Sequence, residues 1–99
     1  MSETLSLTRD TQEQFDEISS LVSKIKTKLR AQQVKGTKVP DELLFLMSRL
    51  NHQEMKIWWN IRKIEVADQN FYPLLDETKK QIMGFRKSCA RAMALLPTD

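Results

Sequence analysis

The sequence predicts an all-α protein, an up-down-up antiparallel three-helix bundle with long helices over about residues 9–34, 40–68 and 73–96. Three observations carry this. Apolar residues recur at alternating intervals of three and four in three separate stretches, the spacing of a helix with one buried seam. Helix-breaking residues fall between those stretches and not within them, at Gly36 to Pro40 and again at Asp68 to Pro73. The helices also match in length, about 34–43 Å at 1.5 Å per residue, and short connections make consecutive helices antiparallel.

The first seam is Phe15, Ile18, Val22, Ile25 and Leu29. Its helix is expected to start near Thr8 to Asp10, where Asp10-Thr11-Gln12-Glu13 has the spacing of a capping box. Residues 1–7 are then a flexible N-terminus. The helix is expected to end near Val34, with Gly36 in the left-handed conformation that closes a helix. Pro40 followed by Asp41 and Glu42 opens the second helix, since proline needs no amide hydrogen there and acids suit the positive end of the dipole.

The second seam is Leu43, Met47, Leu50, Glu54, Ile57, Ile61 and Ile64. Gln69 to Tyr72 reads as the next turn, because Pro73 disfavours a helical conformation at Tyr72. The alternative is one very long helix kinked at Pro73. The third seam, Leu75, Thr78, Ile82, Phe85, Cys89, Ala92 and Leu96, stops at Pro97. Gly84 lies beside Phe85 and weakens this helix, which points to a close helix approach or to a groove for Trp58.

Ninety-nine residues form about one domain, read as residues 1–99. A single cysteine forms no internal disulfide and favours a reducing compartment. No apolar run reaches membrane-spanning length, and the N-terminus lacks the order of a signal peptide, so a soluble cytoplasmic protein is expected. Nothing points to catalysis, a metal or a cofactor: the chain has no Gly-rich phosphate loop, no nucleophile with a partnered base and no ligand cluster around its lone His52.

Function must therefore be read from surfaces. Glu54 interrupts an apolar seam, and a carboxylate there should reach outward or pair with a lysine of a neighbouring helix. Trp58 and Trp59 are adjacent, so they differ by about 100° on a helix and cannot both face one seam. Leu44, Met55, Trp58 and Trp59 make a second apolar strip, with Phe45 also on the far side of the helix. Part of that strip is what a middle helix touching two neighbours requires. The remainder suits a protein partner or a homodimer, because aromatic and Met side chains on an outer face are what interfaces bury at their centres.

The net charge of +3 is unevenly spread: residues 1–20 hold five acids and one base, and residues 21–40 hold six bases and no acid. Lys24, Lys26, Lys28, Arg30, Lys35 and Lys38 form a possible polyanion-binding set. Their positions on the wheel make a collar and not a stripe, and bases late in a helix also complement its dipole. The expected function is a non-enzymatic protein-interaction module, such as an adaptor, small chaperone or assembly subunit, docking through Leu44, Phe45, Met55, Trp58 and Trp59. The alternative is a small basic nucleic-acid-binding factor using the helix 1 bases together with those of helix 3.

Overall fold

A computed structural model describes residues 2–97 of the chain, all but Ser2 with their side chains. It contains three α-helices, α1 (Ser2–Val34), α2 (Asp41–Glu65) and α3 (Phe71–Leu95), and every pair of helices is in contact. The antiparallel order is fixed by side chains at both ends of the rod. Near one end Arg62 of α2 donates to Gln12 of α1, and near the other Arg91 of α3 pairs with Glu42 of α2 at 2.8 Å. The bundle measures 53 × 19 × 17 Å.

The predicted seams form the core. Phe15, Ile18, Val22, Ile25 and Leu29 of α1 meet Leu43, Met47, Leu50, Ile57 and Ile61 of α2 and Ile82, Phe85, Cys89 and Ala92 of α3 in one continuous cluster. Phe15 and Phe85 face each other across its middle, with ring centroids 6.3 Å apart. A smaller cluster of Ile64, Phe71 and Leu75 closes the end where α2 turns into α3. Two seam positions depart from full burial: Glu54 and Leu96 are only partly covered.

The helix boundaries differ from expectation in three places, each for a packing reason. Of residues 1–7, expected to form a flexible N-terminus, residues 2–7 belong to α1 and Met1 lies outside the described residues. Leu7 covers the smaller core cluster, and Thr11, expected within the cap, is buried with its hydroxyl donating to the Leu7 carbonyl. Asp10 to Glu13 is therefore helix interior and caps nothing. α2 stops at Glu65 and not near Asp68, the Val66 amide bonding back to the Lys63 carbonyl and the Ala67 amide to that of Ile64. α3 starts at Phe71, two residues ahead of Pro73, because Phe71 is a core residue. Proline is tolerated there, since amides of the first helical turn have no intrahelical acceptor.

The α1 terminus follows the sequence closely. Gly36 has φ 78°, the Thr37 amide reaches the Gln32 carbonyl and the Gly36 amide reaches Gln33. This paired closure is a Schellman motif, and it needs a residue free to adopt positive φ.

A candidate protein-docking face on α2

α2 buries one side and leaves the opposite one bare. Met55 is 64% exposed, Trp59 56% and Trp58 41%. All three lie within two helical turns, beside α1, where they form an open groove of about 800 Å³ with Phe15, Asp16, Ser19, Asn51 and Glu54. The seam spacing of each helix determines this placement: Phe15 faces the core, whereas Asp16 and Ser19 lie on the flank of α1 that turns toward α2.

The two indoles are packed edge to face, with centroids 4.9 Å apart and planes at 88°. Edge-to-face contact suits the ring quadrupoles and holds both side chains in place. The Arg62 guanidinium sits 5.1 Å from the Trp58 ring centroid, and its own position is set by a hydrogen bond to Gln12 and an ion pair with Glu65. Trp58 is thus clamped between Trp59 and Arg62 while Trp59 keeps an open flank. A rigid aromatic surface is suited to binding, since little side-chain freedom remains to be lost on contact.

Two carboxylates rim the groove. Asp16 accepts a hydrogen bond from Gln12. Of the two placements expected for Glu54, pairing with a lysine of α1 or α3 does not form, since it has no cationic partner among the described residues; it lines the open groove at the edge of the core. Its charge reaches the core thiol. Cys89 is raised from its ordinary 9.0 to about 11, first by burial and second by Glu54, with Arg86 opposing. A buried thiol held protonated is a poor nucleophile.

Of the five residues expected to form the docking strip, Met55, Trp58 and Trp59 come together. Leu44 and Phe45 are exposed but lie about 15 Å further along α2, outside the groove. Sequence reasoning did not find the α1 wall of Phe15, Asp16 and Ser19. The flank of α1 that meets α2 depends on how the bundle winds, which seam spacing leaves open. Gly84 does not make room for Trp58, which is on the α1 side: a methyl group built on Gly84 would meet Gln53 of α2, 3.9 Å from its amide nitrogen.

The basic set is exposed throughout: Lys24, Lys26, Lys28, Arg30, Lys35 and Lys38 all face solvent. Lys28 and Lys35 border a cleft between α1 and α3 with Met93 and Leu96, and Lys24 lies with Lys28 over the outer surface of α1. Lys26 and Arg30 lie on the flank toward α2. Because α3 runs parallel to α1, Arg86, Lys87 and Arg91 reach the same end of the rod, where Asp41 and Glu42 are the acids among the described residues. Arg91 is engaged with Glu42.

Among the described residues, no group of three His, Cys, Asp or Glu side chains could hold a metal ion, and no helix is long and apolar enough to cross a membrane. Comparison with known protein families, with curated proteins and with solved structures finds no match.

Proposed function

We propose that the chain is a non-enzymatic protein-interaction module whose docking face is the exposed side of α2 around Met55, Trp58 and Trp59. The observation that carries this reading is the aromatic groove: two mutually packed indoles and a methionine stay exposed although the same helix already has its own apolar seam in the core. Contiguous exposed apolar surface of this composition is what interfaces cover. The roles of adaptor, small chaperone and assembly subunit, in a cytoplasmic setting, all use such a face.

The test is Trp59→Ala, which removes apolar surface without touching the core. Association of the chain, with itself or with a protein captured from extract, should weaken about tenfold or more, with little dependence on salt. Association unchanged by Trp59→Ala and by Met55→Ala would remove this face from consideration. A second reading rests on the basic end of the rod, which would hold a nucleic acid or another polyanion through Lys24, Lys28 and Arg30 with the late α3 bases. It requires retention on a polyanion that falls steeply with salt and drops when those three are changed together.

A further inference from the structure

The outer face of α2 carries a second three-and-four spacing that the core does not use: Phe45, Ser48, His52, Met55, Trp59 and Arg62, with Val66 continuing it. These positions centre on the side of the helix opposite Leu50, with Met55 and Arg62 on its edge toward α1. Phe45 is 78% exposed and Val66 84%, so neither is covered among the described residues. Within α2 the row runs from Phe45 to Arg62, and Phe45, Met55 and Trp59 are its apolar members.

The order of residues along this face is self-complementary when one copy is turned end for end. Phe45 and Trp59 stand at equal distances on either side of His52. Asp41 and Glu42 occupy the start of the helix, and Arg62 and Lys63 occupy its end. Glu42 and Arg62 are engaged within the chain, by Arg91 and Glu65, whereas Asp41 and Lys63 are exposed and without an ionic partner among the described residues.

Resting on the docking face proposed above, we infer that its occupant is a second copy of this chain, packed antiparallel through α2 with the two-fold axis at His52. In that arrangement Phe45 of each copy meets Trp59 of the other, Leu44 lies beside Trp58, and Asp41 faces Lys63, every contact occurring twice as a two-fold interface requires. Arg49 and Lys56 share one flank and oppose each other, so the apolar pairs and the terminal charge pairs must hold the contact. A polar residue at the centre of the seam fixes register, because shifting the helices would lodge His52 against an apolar side chain.

Sedimentation of the full chain over a wide concentration range should show a monomer–dimer equilibrium, with Phe45→Ala and Trp59→Ala each raising the dissociation constant about tenfold or more at unchanged helical content. Asp41→Lys and Lys63→Asp should each weaken the dimer, and an equimolar mixture of the two variants should recover it. His52→Cys in a Cys89→Ala background should give a disulfide-linked dimer on treatment with diamide, because only a residue at the axis meets its own counterpart. A chain that stays monomeric at every concentration overturns the inference, and so does a dimer that His52→Cys fails to link or that tolerates both alanine variants. A monomer whose capture of another protein still depends on Trp59 ends the self-association proposal and leaves the docking face standing; if Trp59→Ala alters nothing, both fall.

Discussion

Cys89 shows how a single residue couples the core to the groove. Its thiol is fully enclosed, and burial with the nearby Glu54 charge raises its pKa to about 11. A group whose folded pKa lies above its unfolded value stabilises the fold while it is protonated in both states, here below pH 9.0. As pH climbs from there toward 11 the unfolded chain ionises first, and up to about 2–3 kcal/mol of stability should be lost. Urea unfolding from about pH 8 to about pH 11 should show this loss in the native chain and a shallower one in Cys89→Ala, the lysines contributing equally to both. At neutral pH the same thiol should react with an aromatic disulfide reagent only as fast as the chain unfolds. Cys89 was legible in the sequence as a seam residue, but its link to Glu54 was not, because it depends on two helices meeting at one level.

At the scale of an element, the two glycines separate backbone necessity from residual cost. Gly36 holds a positive φ with nothing around it, so Gly36→Ala should destabilise by about 1–2 kcal/mol through strain alone. Gly84 is helical with ordinary contact distance to Gln53, so Gly84→Ala should stabilise by up to about 1 kcal/mol. Thermal unfolding of the two variants, with opposite shifts in Tm, checks both. The start of α1 is the part of the fold that local signals misplaced. Asp10 to Glu13 has a cap's spacing, yet Leu7 is drawn into the helix by the cluster of Ile64, Phe71 and Leu75, and Thr11 is buried with its hydroxyl on the Leu7 carbonyl. That force acts between residues some sixty positions apart and leaves no periodic trace in seven residues of sequence. Leu7→Ala should therefore fray the first turns of α1, read as faster amide exchange at residues 3–8 with protection of Val22 and Ile25 unchanged. The three seams, by contrast, were readable apart from Glu54 and Leu96, because burial on one side of a helix repeats every few residues and tertiary context only has to agree with it. Pro73 shows a local rule yielding: Phe71 gains more from core contact than the pre-proline restriction costs.

Across the whole molecule the governing feature is separation of charge along a 53 Å rod. The early half of α1 holds Glu3, Asp10, Glu13, Asp16 and Glu17 against Arg9, and its later half carries bases alone. The antiparallel fold does not cancel this, because α3 delivers Arg86, Lys87 and Arg91 to the basic end. Such a rod orients in an electric field and prefers partners laid against it end to end, which favours an antiparallel copy over a parallel one. Whether the basic end also grips a polyanion is decided by geometry. Lys26 and Lys28 point about 160° apart around α1, so one extended phosphate backbone can touch roughly two or three of the bases at once. The salt dependence of binding to heparin or to a short duplex should then have a logarithmic slope near about −2 to −3, with affinity vanishing at physiological salt. A slope near about −6 would mean that a single polyanion engages the collar as a unit, and the basic end of the rod, not the aromatic face of α2, would be its functional surface.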